Sequence, residues 1–196
     1  RRSSDLLGPF EGEISDQKEL FSLLENEIRK YQKDGKLNAH QAKHLIHDGT
    51  SIARRYLKVF PDKSLRDAFF FTRDLVRVAT YQEYYDKAAF TGSDHGSKHI
   101  HHNIRNALAM HKGMDKLKDY NNKDKFLEQL VHFYHDIGYT TGLSVQNFDC
   151  CKDHPFIGAK MLDSMKEYFV HYLDEDSFTT LRDCVLYHAI VNPDLT

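Results

Sequence analysis

Leu130-Val131-His132-Phe133-Tyr134-His135-Asp136-Ile137-Gly138-Tyr139 is the stretch from which the rest of this chain is read. Leu127, Leu130, Val131 and Tyr134 recur at helical spacing, so the run ends an amphipathic helix with an apolar stripe. His135 and Asp136 close it, just before Gly138. An imidazole there can interact favourably with the terminal carbonyls, whereas a carboxylate sits at the unfavourable end of the helix dipole. A carboxylate in apolar surroundings also needs a compensating charge. A divalent metal accounts for both residues together.

The same helical reading extends in both directions. Asp16-x-x-Glu19 is a capping-box pattern that opens a helix over residues 16–33, with Leu20, Leu24, Ile28 and Tyr31 inward and Asp34-Gly35 as its stop. Asn38-x-x-Gln41 starts a second helix, whose inward stripe is Leu45, Ile46, Ile52, Ala53, Tyr56 and Leu57. Pro61 punctuates, and Ser64-x-x-Asp67 begins a third that runs to about residue 90. Gly92-Ser93-Asp94 breaks the pattern and caps a fourth over roughly residues 95–112, and Asn121-Asn122 introduces the fifth, which ends at Asp136. Residues 138–153 read as an irregular loop. His154-Pro155 opens a sixth helix, since proline is tolerated in a first turn, and a seventh spans about Ser177 to Val191. Strand-like alternation is missing, so the expected class is all-α.

Further histidines stand where they can join His135 and Asp136. His95 and His99 are four apart and share one face of the fourth helix. Leu181, Cys184, Val185 and His188 follow the i, i+3, i+4, i+7 template, which turns His188 toward the core. His154 precedes Pro155 and could equally be a helix cap. A second His-Asp dipeptide, His47-Asp48, reads differently. His40, His44 and His47 share a face with Ser51, Arg55 and Lys58, which reads as a solvated stripe whose cations would repel a metal. Cys150 and Cys151 lack the spacing of a zinc cluster. His101, His102, His111, His132 and His171 are read as surface or structural residues.

The order His99, His135-Asp136, His154, His188 resembles the HD-domain superfamily of metal-dependent phosphohydrolases. Asp94-His95-Gly96-Ser97-Lys98-His99-Ile100 looks like its first motif, in which a histidine three residues after a glycine binds metal. His154-Pro155-Phe156-Ile157-Gly158-Ala159-Lys160-Met161-Leu162 is similar to the H-P-x-x-G-x-x-x-L segment of the HD-GYP subgroup. His95-x-x-x-His99 is similar to the H-N-x-x-H of cyclic-nucleotide phosphodiesterases, where the first histidine protonates the leaving group. The resemblance covers about residues 92–191. It departs from HD-GYP proteins in having Tyr187-His188-Ala189-Ile190 where their H-H-E-x-x-D-G-x-G-Y-P signature would stand. The family's final aspartate usually comes well after the His188 position, and Asp194 is the only carboxylate in that tail.

The resemblance implies an HD-type helical core over residues 93–196, with residues 1–92 as additional N-terminal helices packed on it. It implies metal-dependent hydrolysis of a phosphate mono- or diester, such as a nucleotide or cyclic nucleotide. His99, His135 and Asp136 would hold one ion, with Asp136 bridging to a second completed by His154 and His188. His95 would be the general acid. Nitrogen and oxygen ligands without thiolate suit Mn²⁺, Fe, Zn²⁺ or Mg²⁺, one ion or two. A di-iron oxygenase would show the same ligands, and a non-catalytic sensor or scaffold could keep a degenerate pocket.

Bulk properties bound the rest. The chain has 196 residues, 40% hydrophobic, enough for one sizeable core. Its 27 basic and 29 acidic residues are well mixed, so no clear nucleic-acid surface is expected. Three cysteines in no framework spacing favour a reducing, cytoplasmic setting. No apolar run approaches the ~18–20 residues that span a bilayer. The start at Arg1 and the end at Thr196 suggest a portion of something longer, and residues 16–90 offer a surface for a homodimer.

Overall fold

The computed structural model describes residues 12–89, 96–113, 119–140 and 150–188; the side chains of residues 84–89 and 150–152 are outside the description. Eight α-helices make up the described chain, and no strand occurs among the described residues. They are α1 (Gln17–Lys33), α2 (Ala39–Val59), α3 (Leu65–Ala89), α4 (Ser97–Gly113), α5 (Asn122–Tyr134), α6 (Cys150–Ser164), α7 (Lys166–Tyr172) and α8 (Glu175–Tyr187). A single 3₁₀ turn, Ile137–Thr140, follows α5. The protein is all-α.

Local chemistry sets the boundaries. Asp16 accepts from the backbone N–H of Glu19, and Asn38 and Asn121 each form a reciprocal capping box, with Gln41 and Asp124. Gly35, at φ 71°, ends α1 in the left-handed region that glycine enters without a Cβ penalty.

Helix α2 is central, packing against α1, α3, α4 and α5, while α6 packs against the 3₁₀ turn and α8. One continuous apolar core results, from Leu20 of α1 to Val185 of α8. Tyr56, Phe71, Phe126, Phe133 and Phe169 are among its largest buried side chains. Two buried polar contacts fix the helices around it. Tyr56 Oη donates to the Tyr172 carbonyl at 2.8 Å, and Gln82 Nε2 donates to the Phe133 carbonyl at 2.9 Å. The second ties α3 to the end of α5, where His135 and Asp136 follow.

Three boundaries differ from the sequence reading. Helix α6 begins at Cys150, four residues before His154, so Pro155 lies inside it and His154 is not a cap. Pro155 is the sixth residue of α6, past the first turn, so it withholds the N–H that would otherwise meet the carbonyl four residues back. The short α7 has no counterpart in the reading. Asp174 caps α8 through the Ser177 N–H, placing its start before Ser177, and residues 189–191 of the expected seventh helix lie outside the described residues.

Candidate metal centre

Asp136 is the middle of the site. Its side chain is only 5% exposed, and four imidazole Nε2 atoms surround it: His135 at 3.0 Å, His99 at 3.4 Å, His154 at 3.6 Å and His188 at 3.7 Å. His99 and His135 face Oδ2, whereas His154 and His188 face Oδ1. Within each pair the two Nε2 atoms are close, at 3.1 Å for His99 and His135 and 3.0 Å for His154 and His188. The sequence-predicted ligands therefore come together in two groups, His99–His135–Asp136 and Asp136–His154–His188, each able to hold a metal ion.

The hydrogen bonds behind the rings set their tautomers. His135 and His188 are both C-cap residues, one position beyond α5 and α8. In each, Nδ1 meets the carbonyl three residues back: His132 at 3.1 Å and Val185 at 2.7 Å. A carbonyl only accepts, so Nδ1 carries a proton, and a ring protonated at Nδ1 alone turns a bare Nε2 lone pair into the site. His135 Nε2 then faces Asp136 Oδ2 at 3.0 Å, acceptor against acceptor. A cation between them removes the conflict. For ligand bonds of about 2.1 Å, neighbouring ligand atoms stand ~3.0 Å apart in octahedral and ~3.4 Å apart in tetrahedral geometry. The nitrogen–nitrogen spacings fall in that range. The donor set therefore fits a divalent ion of the kind that accepts imidazole and carboxylate.

Neighbouring elements hold these ligands in place. Glu83, buried on α3, accepts from the Ser97 N–H at 2.8 Å and from Ser97 Oγ at 3.1 Å, taking up the N-terminus of α4 two residues before His99. Gln41 Nε2 also donates to Glu83. A Cβ on Gly96 would collide with the Glu83 carboxylate. At the other end of the site, a Cβ on Gly138 would collide with the His154 carbonyl oxygen, so only glycine lets the 3₁₀ turn rest on α6. Tyr139 stacks on the His154 ring at 4.2 Å between centroids.

His95, the expected general acid, and the Gly92-Ser93-Asp94 cap lie outside the described residues, as does Asp194. Two residues beside the site were not singled out in the sequence. The Asn103 amide lies 2.9 Å from His99 Nε2; its position one turn after His99 was the available signal. His132, read as surface or structural, supplies the carbonyl that orients His135. Burial and the nearby His135 and His99 rings push its own pKa down to about 4.

The His47-Asp48 reading needs correction. His40, His47 and Lys58 are exposed as expected, but Asp48 is 1% exposed and faces α4. Both its oxygens meet His101 Nδ1, at 3.0 and 2.9 Å, and His47 Nδ1 lies 2.8 Å from Oδ1. These three residues form a third group whose ligand atoms could hold an ion. The stripe reading failed because Asp48 stands beside Gly49 and Leu45 on the buried side of α2, across from His101. His44 stacks on His101 at 4.0 Å, and burial, then the His101 and His40 rings, lower its pKa to about 4.

No protein-family model, curated protein or solved structure matches this chain. No described helix is long and apolar enough to cross a membrane.

Proposed function

We propose that the protein is a metal-dependent phosphohydrolase of HD type, acting on a phosphate mono- or diester such as a nucleotide or cyclic nucleotide. The observation that carries this reading is Asp136, one carboxylate offering separate oxygens to two pairs of imidazole nitrogens. The order of these ligands along the chain also resembles the HD superfamily. His99 and His135 with Asp136 Oδ2 would hold one divalent ion, and His154 and His188 with Oδ1 a second. When bound, such ions supply Lewis-acid polarisation of a phosphoryl oxygen and acidify water.

The chain's own residues do the rest. Asp136, buried between the two histidine pairs, would offset the positive charge of bound ions and fixes the separation of the two pairs. The His132 and Val185 carbonyls hold the His135 and His188 lone pairs inward, so that little reorganisation is needed on loading. His99 is the most open of the four rings, its side chain 32% exposed, so substrate reaches the site from its side. His95, four residues before His99 in the sequence, is the residue assigned to protonate the departing alkoxide.

The test is hydrolysis of a panel of nucleotide monoesters, cyclic nucleotides and bis-phosphodiesters by protein loaded with Mn²⁺, Fe²⁺, Zn²⁺ or Mg²⁺. Activity that disappears in both His135→Ala and His188→Ala supports the reading; a fully loaded chain inert to the whole panel overturns it. The bridging position of Asp136 also suits a di-iron oxygenase. Turnover of a substrate that requires dioxygen, in the iron-loaded protein, would decide for that second reading.

A further inference from the structure

Away from the four histidines around Asp136, a cavity of about 430 Å³ opens where α2, α4 and α5 meet. Its lining includes Arg54, Arg55, Lys58, His111, Lys112 and Lys125, and no carboxylate lines it among the described residues. In a chain of net charge -2 with well-mixed charges, that concentration of one sign is exceptional.

Arg55 is the informative residue. It is half-buried on α2, and burial lowers its pKa from the ordinary guanidinium value. Among the described residues Glu128 is the one carboxylate acting on it, and that group is already held by His111 Nε2 at 2.8 Å. No side-chain hydrogen bond or ion pair reaches the Arg55 guanidinium among the described residues, nor the side chains of Lys58, Lys112 or Lys125. Sheltering an unpaired guanidinium costs free energy, and clustering lysines around it adds repulsion. His111 is a further unsatisfied donor or acceptor: its side chain is 8% exposed, and its Nδ1 is buried without a partner. Such a concave, one-signed site focuses its field on an anion.

We propose that this cavity binds a small linear polyphosphate of two or three linked phosphates, free or as part of a nucleotide. Arg55 is the central contact, its planar fork matching two oxygens of one phosphate, as a lysine could not. Lys58, Lys112 and Lys125 neutralise the neighbouring charges. A cavity of this size takes a compact ligand and not a length of nucleic acid. It is separate from the metal centre. His111 meets Glu128 while His99 meets His135, so α4 and α5 run antiparallel, and the cavity lies toward their other ends. Lys125 and His135 are separated by ten residues of helix, about 15 Å. The proposal is therefore independent of the hydrolase reading.

The test is titration calorimetry of the full chain with inorganic tripolyphosphate, after metal removal and dialysis. Saturable 1:1 binding is expected, retained in Asp136→Asn and weakened about tenfold or more in Arg55→Gln and in Lys125→Gln. The solvent-facing Lys112→Gln should weaken it as well, and keeps the test decisive if Arg55→Gln does not fold. No binding to the wild-type chain overturns the proposal. So does binding that these lysine and arginine variants leave unchanged, or that Asp136→Asn abolishes, which would put the anion at the histidines. A single-stranded oligonucleotide that binds where tripolyphosphate does not would also overturn it, pointing to a nucleic-acid surface.

Discussion

At the scale of single residues, Asp136 and His135 bear the most on function. Asp136 has two oxygens in two different groups, so Asp136→Asn should weaken both ion positions, whereas His188→Ala should spare the one built on His99 and His135. Removing a hydrogen-bonding group behind a ligand typically costs ~10–100-fold in metal affinity, and removing a ligand more. Metal titration of the two variants should show that order; equal loss in both would argue against two ion positions. A second residue-scale expectation concerns pH. His44 has its pKa lowered from 6.5 to about 4, so the unfolded chain binds a proton that the folded chain refuses. Its share of stability is complete above about pH 6.5 and is lost as pH falls toward 4. Since the ring is partly solvated, the expected loss is on the order of 1 kcal/mol. Denaturant unfolding between pH 7 and pH 4 should show a shallower pH dependence in His44→Leu than in wild type. His135, Asp136 and His188 were legible because each ends or extends an apolar helical stripe, whereas His99 and His154 were singled out through the resemblance in ligand order. Asp48 was not. It was read with the stripe of His40, His44 and His47, and its partner His101 lies 53 positions away on another helix.

At the scale of elements, the site depends on how α4 and α6 are seated. Gly138→Ala puts a methyl into the His154 carbonyl, so the 3₁₀ turn and α6 must separate. Overpacking of this kind costs ~1–3 kcal/mol, and the displacement moves His154 with it. Thermal unfolding should register the first effect and weaker binding at the Asp136–His154–His188 group the second. A Gly138→Ala protein with unaltered stability would show that this contact is not tight. Glu83→Ala leaves the Ser97 N–H and Gln41 without their acceptor, and loss of such a cap costs about 1 kcal/mol or more. The element boundaries that were legible are those marked by side-chain caps: Asp16, Asn38 and Asn121 sit where the spacing placed them. The α6 start was missed because Pro155 looked like a first-turn residue. Helix α7 was missed because seven residues give too little periodicity to separate it from its neighbours.

For the molecule as a whole, the all-α class was readable because helical spacing recurs throughout and strand alternation does not. The long-range pairings, His99 with His135 at 36 positions apart and His154 with His188 at 34, were expected from the resemblance and not from helical periodicity, which says nothing about residues so far apart. The ligands come from α4, α6 and the ends of α5 and α8, so two ions, one in each group, would together cross-link four elements of the folded state only. Ligand present at about 100 times its Kd adds ~2.7 kcal/mol, which for a chain of this size raises Tm by roughly 5–10 °C. The most direct measurement is the metal-to-chain ratio, by elemental analysis, of the wild-type protein and Asp136→Asn after identical loading and desalting. One to two divalent ions per wild-type chain, falling below half of that in the folded variant, is the predicted result. A wild-type chain that retains no metal, or a variant that retains as much, would contradict the account.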